Sequence, residues 1–155
     1  HQCFRRQRQM CIRDRYQHVI VSDYDKGFVH WDDIDYICTN HPSVFLDTKK
    51  ELDYWACDAK FIKINNYEAE RSDHFVHIFE HKVIQTLGGD GVMFDGEMYP
   101  VKDKVETLDV SGAGDTFLAA LVVRYSQDKN IISAIKYANR QASKVVSKRG
   151  TSVPD

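Results

Sequence analysis

The sequence predicts an α/β protein with a mainly parallel sheet, helices on its faces and a β-hairpin towards its carboxyl-terminal side. Short apolar runs recur along the chain, with polar or amphipathic stretches between most of them. An Asp-Gly pair separates two later runs, and two amphipathic stretches of helical period follow. This rhythm is typical of parallel strands joined by crossover helices.

Apolar runs of strand length occur four times in the first part of the chain. The predicted strands are Val19–Val21, Val44–Leu46, Phe61–Ile64 and Val83–Thr86. Between the first two lies a predicted helix from Trp31 to Cys38, in which Ile34 and Ile37 share a face with both end residues. Because a crossover helix packs on the sheet, we expect Trp31 to be part of the core.

The carboxyl-terminal half predicts a hairpin followed by two helices. Asp95-Gly96 lies between the runs Val92–Phe94 and Glu97–Tyr99, and such a pair is a strong hairpin signal. The helices are expected from Thr116 to about Tyr125 and from Ile131 to about Lys148. The side chains expected to face inward are Phe117, Leu118, Leu121, Val122, Tyr125, Ile131, Ile135, Ala138, Ala142 and Val145.

The composition predicts one soluble domain in the cytoplasm. The chain has 155 residues, of which 43% are hydrophobic, and this is enough to bury a core. A net charge of -2 argues against nucleic acid as a partner. The four cysteines are scattered, no apolar run reaches the length of a membrane span, and no secretion signal is seen.

The first fifteen residues differ from the rest, because they are rich in Arg and Gln and lack any periodicity. We interpret residues 1–15 as a foreign or disordered tail and assign the fold to residues 16–155. The alternative is a basic arm that binds an acidic partner.

The candidate chemical centre is the segment Ser111–Asp115, which follows a short apolar stretch and precedes an amphipathic helix. Gly112 and Gly114 permit a tight backbone and the close approach of a ligand. The amides at a helix start, with the positive end of the helix dipole, attract anions. Asp115 is then either a helix-capping group or a base beside the bound anion, and spacing alone leaves both open.

Residues Asp109–Thr116 read Asp-Val-Ser-Gly-Ala-Gly-Asp-Thr, which resembles the second signature of the ribokinase or phosphofructokinase-B family of carbohydrate kinases. The resemblance implies a ribokinase-like fold. It also implies that the amides of Gly112, Ala113, Gly114 and Asp115 form an anion hole for the transferring phosphoryl group. Asp115 would take the proton from the acceptor hydroxyl. Phosphoryl transfer needs positioning and charge stabilisation, which such a loop can supply.

Asn65-Asn66-Tyr67-Glu68 resembles the Asn-x-x-Glu motif of that family. The resemblance implies that Asn65 and Glu68 help to place Mg²⁺ and the ATP phosphates, with Glu68 as the metal candidate. Mg²⁺ takes oxygen ligands and usually keeps waters, so one carboxylate can act directly or through water. Taken alone, Glu68 is an ordinary acid in the first turn of a helix.

Thr86-Leu87-Gly88-Gly89-Asp90-Gly91 resembles the family's Thr-x-Gly-x-x-Gly segment. This implies that Thr86, Gly88 and Gly91 line the nucleotide phosphates, whereas a glycine cluster alone indicates only a turn. Asn139 resembles the family's Asn near the adenine. The alternative is a solvated Asn on a helix surface.

Three further stretches look like a heptose kinase, namely Val21–Gly27, Leu46–Lys49 and Lys148–Ser152. They are similar to the kinase domain of the heptose 7-phosphate kinase/heptose 1-phosphate adenylyltransferase enzymes of ADP-heptose synthesis. The resemblance implies that Ser22–Gly27 lies near the sugar and that Lys49 lies towards the nucleotide phosphates. The alternative is a surface lysine. Thr48 and Ser111 stand where Pro and Thr are common in those enzymes.

The resemblance covers nearly all of residues 16–155 but only the later part of a family kinase. We therefore expect a fragment that binds nucleotide poorly by itself. The expected reaction is transfer of the ATP γ-phosphoryl group to a hydroxyl of a small sugar or sugar phosphate, with Mg²⁺ as cofactor. No nucleic acid or membrane is expected as a partner, and the sequence leaves open whether the protein is a homodimer. The alternatives are a kinase for another sugar or nucleoside, and a non-catalytic nucleotide-binding module.

Overall fold

The computed structural model describes residues 16–101 and 112–146. The chain divides into two compact units, the first ending at Val83 and the second beginning at Ile84. Within the described ranges no helix combines the length and apolar character needed to cross a membrane.

Three parallel strands form the sheet of the first unit. They are β1 (Val19–Asp23), β2 (Val44–Thr48) and β3 (Phe61–Asn65), in that order across the sheet. All five residues of β2 are buried, which is typical of a strand covered on both faces. The register pairs Asp23 with Thr48 and Asp47 with Lys63, so polar side chains meet at the carboxyl ends of these strands.

Three α-helices accompany this sheet: α1 (Trp31–Asn40), α2 (Asn66–Arg71) and α3 (Asp73–Ile78), with a 3₁₀ turn at Tyr54–Ala56. Ile34 and Cys38 of α1 are buried in the core with Leu46, Ile62 and Ile64. The expectation for Trp31 is wrong, because its side chain is 55% exposed. Trp31 is the first residue of α1, and the stripe that reaches the core starts one turn later at Ile34.

The second unit contains an antiparallel meander. Strand β4 (Val83–Thr86) starts at the last residue of the first unit and pairs with β5 (Gly91–Phe94), which pairs with β6 (Glu97–Pro100). The predicted hairpin between β5 and β6 is confirmed. Asp95 and Gly96 have φ values of 52° and 73°, and two positive φ angles are what a type I′ turn requires.

Two long helices, α4 (Ala113–Asp128) and α5 (Ile131–Val146), pack against each other in this unit. All five side chains expected inward on α4 are buried. On α5, Ile135, Ala138 and Val145 are buried as expected, while Ile131 and Ala142 are half-buried. The last two residues predicted for α5 lie outside the described range.

Candidate active site

Asn65 and Glu68 are locked together where β3 ends and α2 begins. The Glu68 N–H donates to Asn65 Oδ1 at 2.9 Å, and the Asn65 N–H donates to Glu68 Oε2 at 2.8 Å. Asn65 Nδ2 also donates to Glu68 Oε1 at 2.9 Å. This reciprocal capping box fixes a carboxylate that is only 3% exposed. Glu68 is therefore a first-turn acid with a single defined orientation.

Lys49 directly follows β2 and forms an ion pair with Glu68. Its ammonium group donates to Oε1, the oxygen that also accepts from the Asn65 amide. The Lys49 side chain is 36% exposed, so it approaches the buried carboxylate from the solvent side. The structure thus brings together three residues that the sequence motifs singled out, and Lys49 is not an unattached surface lysine.

A second ion pair, between Asp47 and Lys63, lies on neighbouring strands at paired positions. Lys63 Nζ donates to Asp47 Oδ2 at 2.8 Å, and both side chains are less than 10% exposed. Burial raises the pKa of Asp47, although the charge and hydrogen bond of Lys63 oppose this. Among the described buried side chains, Asp47 Oδ1 stands without a hydrogen-bond partner. In the sequence, Lys63 interrupts the apolar run Phe61–Ile64 and Asp47 directly follows the run Val44–Leu46, but neither position indicates the pairing.

A third polar group ties the end of β1 to the end of β2. Thr48 Oγ1 and Lys50 Nζ each donate to Asp23 Oδ2 at 2.8 Å, and Lys50 Nζ also donates to Asp25 Oδ1 at 2.7 Å. Burial acts to raise the pKa of Asp23, but hydrogen bonds from Lys50, Thr48 and the Asp25 N–H outweigh it and leave that pKa lowered. The stretches Val21–Gly27 and Leu46–Lys49, which resemble heptose kinases, therefore meet here, together with Lys50, which the motif comparison did not select.

In the second unit, Gly88 and Gly91 of the Thr86–Gly91 segment differ in their surroundings. Thr86 ends β4, Gly88 begins a 3₁₀ turn, and Gly91 begins β5. A Cβ atom on Gly91 would collide with the backbone of Tyr99 and Pro100, and its φ is 119°. Gly91 therefore has a structural role. A Cβ atom on Gly88, at φ 58°, would meet nothing within 4 Å.

The start of α4 is a left-handed glycine followed by the first helical turn. Gly112, with φ 76°, is the N-cap, and the Thr116 N–H donates to its carbonyl at 2.9 Å. The amides of Ala113 and Gly114 lie in the first helical turn, ahead of this bond. A Cβ atom on Gly112 would meet nothing within 4 Å. Asp115 is exposed at the third helical position, while Asp109, Val110 and Ser111 lie outside the described residues.

Asn139 is buried on α5 with 6% of its surface exposed. Its Nδ2 donates to the Tyr99 carbonyl oxygen at 3.0 Å and so links α5 to β6. The alternative of a solvated Asn on a helix surface is therefore wrong. A position near adenine stays a prediction.

The donor atoms of the first unit fit Mg²⁺ in chemical type, because Glu68 and the orphaned Asp47 Oδ1 are hard oxygen ligands. Within the described ranges, no group of three or more acidic, His or Cys side chains is placed so that it could hold a metal ion. A cation held mainly by phosphates and waters needs few protein ligands. Glu68 Oε1 already accepts from Lys49, so a direct metal bond there requires Lys49 to leave, whereas a bond through water does not. For ATP, the open start of α4 fits an anionic group.

Comparison with known proteins finds the same family that the motifs of this chain resemble. A family model described as "pfkB family carbohydrate kinase" matches residues 31–155. The bifunctional protein HldE of Nitratiruptor sp. is 32% identical over 154 aligned residues, which cover 87% of this chain and 33% of that protein. HldE of Helicobacter pylori strain G27 is 31% identical, with 87% and 34% covered. The chain spans about a third of the length of these relatives.

Solved structures of the same fold include Escherichia coli phosphofructokinase-2, with a TM-score of 0.76 and 15% identity, covering 97% of this chain and 57% of that one. A nucleoside kinase from Burkholderia thailandensis has a TM-score of 0.73 and 18% identity, covering 88% and 52%. A ribokinase from Thermotoga maritima scores 0.69 at 19% identity, covering 86% and 52%. These neighbours confirm the predicted ribokinase-like α/β fold. Because this family model matches residues 31–155, most of the chain, the chain belongs to the pfkB family of carbohydrate kinases. Members of this family are phosphotransferases that act on an alcohol group.

Proposed function

We propose that this chain supplies the nucleotide-facing and proton-accepting part of an ATP-dependent sugar kinase. The observation that supports this most strongly is the start of α4. An open left-handed glycine there precedes amides that lie ahead of the helical hydrogen-bond ladder, and Asp115 stands exposed two residues after the first of them. An anion site with an acid beside it is what phosphoryl transfer to a hydroxyl group needs.

In this mechanism the amides of Ala113 and Gly114 stabilise the charge on the transferring phosphoryl group. Asp115 accepts the proton of the sugar hydroxyl while that oxygen forms its bond to the γ-phosphorus. The bond between the γ-phosphorus and the bridging oxygen breaks, and the electron pair leaves with ADP. When bound, Mg²⁺ neutralises part of the phosphate charge.

The remaining motif residues hold the nucleotide. Lys49 pairs with its phosphates as a compact positive charge. Glu68, oriented by Asn65, holds the magnesium ion directly or through water. Thr86 and Gly88 line the phosphates, and Gly91 keeps this loop in shape through its close contact with β6. Asn139 lies towards the adenine.

The acceptor that we propose is D-glycero-D-manno-heptose 7-phosphate, phosphorylated at its anomeric hydroxyl in the cytoplasm. Two observations support this choice: the sequence stretches at 21–27, 46–49 and 148–152, and the relatives named bifunctional protein HldE. A nucleoside acceptor is the second candidate, because a nucleoside kinase in complex with inosine shares the fold.

A substrate panel tests this proposal. A complete pfkB-family domain that carries these residues is incubated with Mg-ATP and one acceptor at a time, and ADP release is measured. The acceptors are the heptose 7-phosphate, fructose 6-phosphate, ribose and adenosine. We expect the heptose phosphate to give the highest kcat/KM. A preference for adenosine would indicate a nucleoside kinase. ATP binding without turnover on any acceptor would indicate a non-catalytic module.

A further inference from the structure

The Glu68 carboxylate, which we propose holds the metal ion, already forms an ion pair with Lys49. Glu68 Oε2 accepts from the Asn65 backbone N–H, and Oε1 accepts from the Asn65 amide and from the Lys49 ammonium group. Both Asn65 donors are fixed by the capping box. Lys49 is the remaining donor, and it belongs to a long side chain that is partly exposed to solvent.

Burial explains why a cation is needed there. A carboxylate that is 3% exposed is costly to keep charged unless a positive group and hydrogen bonds compensate it. An ammonium group and a divalent cation cannot both occupy the same side of one oxygen, because like charges at contact distance repel strongly. Direct metal binding at Oε1 therefore displaces Lys49.

The neighbouring charges make this exchange depend on the nucleotide. Asp47 and Glu68 carry two negative charges, while Lys49 and Lys63 carry two positive charges, so the cluster is neutral without ligand. A bare divalent cation is consequently attracted only weakly. A metal ion that arrives with nucleotide phosphates brings negative charge to which a displaced ammonium group can bind.

We propose that Lys49 is an exchangeable counter-ion: it neutralises Glu68 in the ligand-free protein and moves to the phosphates when a divalent cation replaces it. This inference rests on the proposed function, because it takes the metal role of Glu68 from there. Its consequence is that metal and nucleotide bind with positive cooperativity through one lysine side chain.

Mn²⁺ binding to the ¹⁵N-labelled chain tests the exchange, since Mn²⁺ broadens the amide signals near its site. Lys49→Met removes the competing cation, and we expect apparent Mn²⁺ affinity to rise about fivefold, the scale of a partly exposed ion pair. Lys49→Arg keeps the charge but can hold the carboxylate bidentately, so Mn²⁺ affinity should fall below that of the wild type. Lys144→Met, on the exposed side of α5, is the matched control and should leave the affinity unchanged.

Wild-type affinity in both Lys49 variants would overturn the exchange. A rise in Lys49→Met with no change in Lys49→Arg would also overturn it, because simple charge repulsion predicts that pattern. Glu68→Gln separates this inference from the proposed function. If Mn²⁺ still broadens the amides near position 68 in Glu68→Gln, the metal role of Glu68 is wrong. If that broadening is lost while the Lys49 variants match the wild type, only the exchange is wrong.

Discussion

Glu68 and Asp115 occupy the same position in two different helices, yet their surroundings are opposite. Each is the third residue of its helix, α2 for Glu68 and α4 for Asp115. The N-cap of α2 is Asn65, whose side chain and backbone capture Glu68. The N-cap of α4 is Gly112, which has no side chain to satisfy the amides of the first turn.

The difference shows how the N-cap decides what a first-turn acid can do. A capping side chain accepts the hydrogen bonds of the helix start, so the acid becomes a rigid group, suited to orienting a cation. A glycine N-cap leaves those amides for a ligand, and the acid stands beside whatever they bind. In α2 the acid is buried, whereas in α4 it is exposed.

The largest expected effect is on Asp115. In a complete family domain, Asp115→Asn should lower kcat by about 10²- to 10⁴-fold, because the acceptor hydroxyl loses its base, while ATP affinity stays within about threefold. Asp128→Asn, at the other end of α4, is the matched control and should retain turnover. Unchanged turnover in Asp115→Asn would show that Asp115 is a helix-capping group and not the base.

The glycines of the second unit sharpen the same comparison. Gly91→Ala should lower the free energy of unfolding by about 3 kcal/mol or more, because the new methyl group collides with backbone atoms at a φ of 119°. Gly112→Ala has space for its methyl group and should cost only about 1–2 kcal/mol of backbone strain. Urea unfolding measures both. Equal losses would contradict the open environment of Gly112.

Asp47–Lys63 is a buried ion pair in the unit that contains Glu68. Lys63→Met should lower the free energy of unfolding by about 3 kcal/mol at neutral pH, because it leaves a buried carboxylate without its cation. The double variant Asp47→Leu/Lys63→Met should recover most of this loss.

The pH dependence of that loss has a defined sign. Burial holds the pKa of Asp47 above its ordinary value of 3.8 in the folded state, and without Lys63 this pKa rises further. When a carboxyl group has a higher pKa in the folded state than in the unfolded state, the protein loses stability as pH rises from the unfolded pKa towards the folded pKa. The deficit of Lys63→Met, measured by urea unfolding, should therefore be smaller below pH 3.8 than at neutral pH. The same deficit at both pH values would contradict the buried charge.

The smallest effect is expected from the cap itself. Asn65→Ala removes the side-chain half of the capping box and should lower the free energy of unfolding by about 1 kcal/mol. Asn66→Ala, at the next and exposed position, should change it by less than about 0.5 kcal/mol. Urea unfolding again provides the measurement. If the two substitutions have the same effect, the capping box does not hold Glu68.

Hydrophobic patterning was enough to predict the strands and the inward faces of the long helices, and the Asp95-Gly96 pair predicted the hairpin. A helix start at Glu68 was weighed only as an alternative, and the helix Asp73–Ile78 was not predicted, because six residues give too few turns for a periodic signal. Trp31 was misplaced because periodicity assigns a helix face but does not say where along the helix the core begins.

The candidate site divides in the same way. The motifs selected Lys49, Asn65 and Glu68, and their contact is present although 19 residues separate Lys49 from Glu68. The Asp47–Lys63 pair could not be predicted, because it depends on the register of two strands. The different roles of Gly91 and Gly112 depend on which atoms surround each backbone, and spacing along the chain carries no information about that.

The most direct test of the central claim follows amide signals of the ¹⁵N-labelled chain during titration with ATP and, separately, with adenosine. If the start of α4 binds the nucleotide phosphates, the signals of Gly112, Ala113 and Gly114 should shift with ATP and remain in place with adenosine. Equal shifts with both ligands, or ATP-induced shifts elsewhere that leave these three amides unchanged, would contradict the account.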